Sequence, residues 1–378
     1  FSACLALIGN VVGAFYQPVI PFSPTSPRWN KRKNRIGVAA KQQQKKVGVS
    51  SYLDALDNVV PKQTTHNIRV DRHSRSILIN EKKKKPNLRT QLNYARNGHA
   101  CLRGVLTSEP LHKLRQKLLD YGMTNELDAW RQKVEVAADR DHTVGSRESA
   151  IRLAGSCQSV SACKAELGKI LGENVRLPFL QYFNTWRTFS QVRELADSLA
   201  ESAAILMDVD SVRLYQDAVF WKRQNDGPTP WHTDARMAPF DTNHMITVWI
   251  PLQNITSSGL VFCSKSHNDF ALPYWNEPGS EAWNDLSIRY VNHDIVDYMP
   301  LSVGDITVHS GWTLHAADPG DRVALAITFV DARAPVRSSL SKGDSEDSQS
   351  YRDWGDQVEP DTPEWDHPLV PIVWPPTK

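Results

Sequence analysis

Residues 322–330, RVALAITFV, alternate without a break. Val323, Leu325, Ile327 and Phe329 fall on one side, and Arg322, Ala324, Ala326 and Thr328 on the other. A period of two is the signature of a strand. The bulky side predicts packing between two sheets, and the small side predicts a space beside a guanidinium. From Val212 onward the chain keeps this grammar. Short apolar runs at 212–222, 245–252, 259–264 and 305–309 are separated by Gly, Pro, Asn and Asp turns. Upstream the periodicity differs. Residues 99–106 read as a strand. Leu111, Leu114, Leu118 and Leu119 then follow Thr107-Ser108-Glu109-Pro110 at helical spacing. Val192, Leu195, Ala196, Leu199, Ala203 and Leu206 mark a second amphipathic helix over 190–207. Helices first and short antiparallel strands later predict a mainly β fold, a double-sheet jelly roll with flanking N-terminal helices.

The charge divides the 378-residue chain in two. Of 44 Lys and Arg, eight lie in residues 1–53, where there is no Asp or Glu. The rest carries 36 basic against 42 acidic residues, a net −6. That balance predicts no nucleic-acid partner. Residues 1–16, FSACLALIGNVVGAFY, are too short for a membrane span and fit a secretory apolar region. The acid-free stretch that follows has transit-peptide composition. The junction Gly13-Ala14-Phe15 resembles the bipartite presequence of algae with complex plastids. Residues 1–53 are therefore expected to be an organelle address, with the mitochondrion or no address at all as alternatives. Residues 54–90, ending in Lys82–Lys85 and Pro86, read as a flexible polar linker. A domain over 91–335 and a C-terminal extension over 336–378, docked back through its apolar tail, complete the expected organisation. No membrane association is expected of the mature form. Five widely spaced cysteines without a CxxC pair suggest neither a zinc knuckle nor a disulfide framework.

Two His and one carboxylate on one side of a metal leave open positions, the ligand set of non-haem Fe(II) oxygenases. His232-Thr233-Asp234 supplies a His-x-Asp, in which the period of an extended chain aims both side chains the same way. A second His-x-Asp, His267-Asn268-Asp269, lies in a polar turn and reads as structural, its His bonding turn backbone. The third ligand is open between His309 and His315. Arg322, beside the small-residue face, could grip a dicarboxylate by charge-assisted hydrogen bonds.

Several segments together resemble the phytanoyl-CoA dioxygenase family of Fe(II)/2-oxoglutarate oxygenases. They are Tyr94–Leu106, Val212–Lys222 leading to Thr229–Asp234, Ser258-Gly259-Leu260 followed by Ser266-His267, and Gly304-Asp305 through His315 to Arg322. The resemblance implies a cupin-like double-stranded β-helix that binds Fe(II) through His232, Asp234 and His315. It implies 2-oxoglutarate as cosubstrate, with Arg322 on the far carboxylate and Trp249 as a wall of the cavity. Lys222 is the next candidate anchor. The loop between His315 and Arg322 is shorter than in the family. Relatives that halogenate carry Ala or Gly in place of the carboxylate, so Asp234 implies oxygenation. O2 would be consumed, a small-molecule C–H hydroxylated, and succinate and CO2 released, with ascorbate as an accessory reductant. Two other readings keep the jelly roll: a metal enzyme without 2-oxoglutarate, and a non-catalytic binding protein. The substrate is not legible. A CoA ester would want a basic patch, and only Lys82–Lys85 and Arg187 suggest one.

Overall fold

Eleven strands and eight α-helical segments make up the described part of the chain, with every strand pair antiparallel. The structure is a computed structural model. It describes residues 79–80, 85–140, 145–172, 177–269, 293–338 and 348–376. These belong to a compact unit spanning Asn67–Lys378. A second unit, Phe1–His66, lies outside the described residues, and the expected presequence lies there with it.

In chain order the elements are α1 (Leu88–Asn97), β1 (His99–Leu102), α2 (Ser108–Thr124), α3 (Glu126–Arg140), α4 (Arg147–Ser156), α5 (Val160–Leu171), β2 (Leu180–Phe183) and α6 (Ser190–Met207). Then come β3 (Val212–Lys222), β4 (Thr229–His232), α7 (Asp234–Met237), β5 (Met245–Pro251), β6 (Leu260–Cys263) and β7 (Ile295–Asp297). β8 (Ile306–Ser310), β9 (His315–Ala317), β10 (Arg322–Asp331), α8 (Ser348–Tyr351) and β11 (Ile372–Trp374) complete the set. The larger sheet runs β1-β8-β5-β10-β3-β11, with β2 also on β3. The smaller runs β4-β9-β6-β7. This is the mainly β jelly roll with N-terminal helices that the sequence predicts.

Some described residues fall within the expected linker of 54–90. Ile79 is buried and bridges Leu106, and the Asn80 amide donates to Val105 O at 2.7 Å. α1 starts at Leu88 because Asn87 caps it, its side chain accepting the Thr90 amide at 2.9 Å. Lys82–Lys84 lie outside the described residues. Helices α3, α4 and α5 have no counterpart in the sequence reading. Their buried positions are mostly small or sulfur-bearing, such as Ala129, Ala150, Ala154 and Cys163, so the apolar stripe is faint. Their serines were the available signal. Ser146 and Ser159 cap α4 and α5, accepting from Ser149 N at 3.3 Å and Ala162 N at 3.2 Å.

The bulky face of β10 packs elsewhere than expected. Val323, Leu325, Ile327 and Phe329 join Val192, Leu195 and Leu199 of α6 in the main core, so the bulky face turns to the helices. Ala324 and Ala326 turn toward the smaller sheet, clustering with Trp249, Leu260, Phe262 and Ala317. Helices need large side chains to fill the gap to a sheet. Each fully buried one of these contributes about 1.5–3 kcal/mol. Between the sheets the alanines of β10 instead meet the larger Trp249, Leu260 and Phe262. At the other edge, Ile372–Trp374 pairs with β3, and Trp354 and Trp365 stack 8° from parallel beside Phe240. No described helix is long and apolar enough to cross a membrane.

Candidate metal centre

β4 and β9 are short, and their register does the assembling. His232 lies directly opposite His315. Thr233 continues β4 in extended conformation (φ −126°, ψ 133°), so Asp234 returns to the side of His232 although it opens α7. The Ala235 amide ties that turn to Gly311 O at 2.9 Å. Gly311 allows the approach, since a Cβ there would sit 3.0 Å from the side chains of Ala235 and Met245.

The result is a cluster in which ligand atoms of His232, Asp234 and His315 all lie within 4.8 Å of one another. Both imidazole Nε2 atoms stand 3.6 Å from the same oxygen, Asp234 Oδ1. Their other nitrogens are occupied. His232 Nδ1 donates to Pro230 O at 2.8 Å and His315 Nδ1 to Thr313 O at 2.9 Å. Those bonds fix the tautomer and turn two bare nitrogen lone pairs on a carboxylate oxygen. Three acceptors converge with no proton between them, which is the donor chemistry a divalent cation satisfies.

The electrostatics agree. Burial holds the His315 imidazole well below its usual range, reinforced by His232 and His309. Burial works against the Asp234 carboxylate, but His315, His309 and His232 outweigh it and hold the group well below the usual carboxylate range. A neutral imidazole and an ionised carboxylate are the protonation states that bind metal.

His309, the alternative third ligand, stands behind the carboxylate. Its Nε2 is 3.1 Å from Asp234 Oδ2, the oxygen turned away from His232 and His315. Thr247 Oγ1 donates to the same Oδ2 at 2.6 Å. The sequence reading does not single out Thr247. Its only signal is that it shares a strand face with Trp249, two residues on. His267 lies apart from the cluster. It donates from Nε2 to Ala95 O at 3.2 Å, reaching α1 and not its own turn.

Arg322 and Lys222 face each other across β10 and β3, and both are fully or nearly fully buried. Arg322 Nη1 donates to Ser258 O and to Asp318 O, the latter at 3.1 Å, while its Nε has no partner. Lys222 Nζ has no hydrogen-bond partner and sits over the Phe179 ring at 4.5 Å. Burial, then Arg322, pushes the Lys222 ammonium down to about 7, and burial pushes Arg322 down to about 10. Two buried cations side by side, with orphaned N–H groups, fit a bound carboxylate. Trp249 is buried opposite Ala326, clustered with Leu260, Phe262 and Ala324. Arg187 pairs with Asp353 at 3.2 Å and Lys85 with Glu201 at 2.6 Å.

The residues 94–322 match the sequence pattern of the family described as phytanoyl-CoA dioxygenase (PhyH). The chain belongs to the phytanoyl-CoA dioxygenase family. No curated protein matches it in sequence. Among solved structures it is similar to a non-heme alpha-ketoglutarate-dependent carbocyclase, SnoK, from nogalamycin biosynthesis. That pair shares 17% identity over 77% of this chain and 98% of the other, with a TM-score of 0.51. The epimerase SnoN, solved with Fe3+, alpha-ketoglutarate and nogalamycin RO, shares 18% over 75% and 97%, with a TM-score of 0.48. EctD from S. alaskensis with bound Fe shares 15% over 75% and 89%, with a TM-score of 0.47. The SnoK likeness shows that the two chains share a fold.

A second buried imidazole gives a pH signature. His99, on β1, bonds Tyr298 OH at 2.7 Å and Ser264 Oγ at 2.8 Å and stacks on Phe262. Burial first, then His309 and His267, pushes it down to about 4. The unfolded chain therefore binds a proton there that the fold refuses. Stability is complete above the unfolded value of about 6.5 and declines as pH falls toward 4, by up to about 1.4 kcal/mol per pH unit for this group. Urea unfolding of the metal-free protein from about pH 7 to about pH 4 is expected to show this slope, and His99→Gln to flatten it.

Proposed function

We propose that this protein is an Fe(II)- and 2-oxoglutarate-dependent oxygenase that hydroxylates a C–H bond of a small molecule. The observation that carries the reading is a metal-ligand cluster together with a pair of buried cations on the larger sheet. His232, Asp234 and His315 converge bare ligand atoms, and Arg322 with Lys222 presents buried, uncompensated positive charge. Family membership supports the same general reaction.

In this reading His232 and His315 bind Fe(II) through Nε2 and Asp234 binds through Oδ1. When bound, iron would supply the redox chemistry that couples decarboxylation of 2-oxoglutarate to oxidation of the substrate. The chain's own residues orient and exclude. The carbonyls of Pro230 and Thr313 hold the imidazoles in the binding tautomer. Arg322 and Lys222 take the far carboxylate of 2-oxoglutarate. Ala324 and Ala326 leave room for its methylenes, and Trp249 closes the wall against water. One oxygen atom of O2 enters succinate and the other the substrate, with CO2 released, and ascorbate serves only to restore Fe(II). The basic, acid-free residues 1–53 act in this reading as an organelle address.

The test is a metabolite screen reading succinate release by the purified protein with Fe(II) and 2-oxoglutarate. Succinate formation stimulated by one class of small molecule, with a product 16 mass units heavier, is the expected result. Oxidation of the same molecule without 2-oxoglutarate would instead favour the cosubstrate-free metal enzyme.

A further inference from the structure

A polar row crosses the larger sheet on its inner face. His99 is paired with His309, His309 with Thr247, and Thr247 with Thr328, on four neighbouring strands. Residues opposite one another across strands share a face and touch, so this is one continuous ledge. Val308 and Val248 turn to the opposite face, into the main core, and Trp249 and Ala326 form the next pair on the same face as the ledge. The two central members both reach Asp234, and both reach the same atom. Thr247 Oγ1 is 2.6 Å and His309 Nε2 3.1 Å from Oδ2. Thr328 Oγ1 lies 3.3 Å from Thr247 Oγ1, so its hydroxyl can donate to Thr247 while Thr247 donates onward.

His309 can serve there in only one tautomer. Its ring is 1% exposed, and Nδ1 has no hydrogen-bond partner. A proton on Nδ1 would be a buried donor without an acceptor, and Nε2 would then turn a lone pair on a carboxylate oxygen. A proton on Nε2 avoids both costs, each of which amounts to roughly 1–3 kcal/mol. The ring has little freedom to turn away. It packs against His315 with centroids 4.2 Å apart and against Phe262 at 5.5 Å.

We propose that Thr247 and His309 form a two-donor clamp on Asp234 Oδ2 that keeps the carboxylate a one-oxygen ligand, making both positioning residues for the metal centre. The inference rests on the iron reading above. A free carboxylate can swing to offer a metal both oxygens, which would consume a coordination position needed by cosubstrate or oxygen. Two donors on Oδ2 saturate it and leave Oδ1, equidistant from both imidazoles, as the single ligand atom. The same ledge gives the buried Thr247 and His309 a shared polar partner. His309 is thereby distinguished from His315: it holds a ligand and is not one.

The test is an anaerobic titration of the full chain with Co(II), read by its visible absorption and by equilibrium dialysis. His309→Leu and Thr247→Val are each expected to weaken Co(II) binding about 10- to 100-fold and to change the absorption envelope. His309→Gln, whose amide places an N–H where Nε2 was, and Thr247→Ser are expected to restore affinity to within about threefold of wild type. Thermal melts separate misfolding from loss of the clamp. Unchanged affinity and spectrum in folded His309→Leu and Thr247→Val overturn the clamp. A loss in His309→Leu as complete as in His315→Ala, without rescue by Gln, also overturns it, because it makes His309 a ligand. Asp234→Ala and His232→Ala are the control for the underlying reading. If they bind Co(II) as wild type does, the metal centre itself is misplaced and not only its support.

Discussion

Asp234→Ala is expected to reduce succinate formation by more than about 1,000-fold at saturating Fe(II) and 2-oxoglutarate, because replacing groups merely behind a metal ligand already costs 10- to 100-fold. The substitution takes away the one charged atom that both Nε2 nitrogens face at 3.6 Å. Two neutral imidazoles remain, which hold a divalent ion far less tightly than the charged set. It also strips the acceptor from Thr247 and His309, two donors in the interior. Leaving them unpaired costs roughly 1–3 kcal/mol each unless water enters. The variant should therefore melt lower as well as lose turnover. His232→Ala loses the ligand but leaves the Oδ2 bonds intact, so it should lose turnover with a smaller change in melting. Near-normal turnover in either folded, iron-supplied variant would sink the ligand assignment.

Arg322→Ala is expected to raise the 2-oxoglutarate concentration needed for half-maximal turnover by roughly 10²- to 10³-fold, with a smaller effect on the maximal rate. Truncating one member of a buried charge pair costs about 2–5 kcal/mol, and a group that only grips the far end of the cosubstrate acts mainly on binding. Lys222 adds a pH dependence whose sign is fixed. Its ammonium is pushed down to about 7 in the ligand-free protein. A carboxylate binds the protonated form, so affinity for 2-oxoglutarate is retained below that value and falls as pH rises through it. Apparent affinity measured from about pH 6 to about pH 9 should weaken by up to tenfold per unit above neutrality. Lys222→Met should weaken binding at the acid end and flatten the profile. An unchanged cosubstrate requirement in both variants would place the anchor elsewhere.

Much of the fold was legible because its signals are local. The alternation of β10 and the stripe of α6 are written in residue order, and both elements form where that order puts them. Strands β4, β7, β9 and β11 were not legible. Each is only three or four residues long, too short for a period to register, and each exists because a neighbouring strand completes its hydrogen bonds. The direction of the β10 faces was missed for a related reason. Alternation separates two faces but does not say which meets the helices and which the second sheet.

The candidate site divides along the same line. His232 and Asp234 could be paired from sequence because two residues of extended chain reach the same side wherever the strand lies. Arg322 could be singled out because a His shortly before it and a small-residue strand face accompany the guanidinium. The choice between His309 and His315 depended on which strand each occupies. β8 belongs to the larger sheet and β9 to the smaller, and only the β4–β9 register sets His315 opposite His232. Sequence alone thus determined the chemical inventory: two imidazoles, a carboxylate and a cation. Tertiary structure decided their placement, because His309 and His315 differ in which oxygen of one carboxylate they approach.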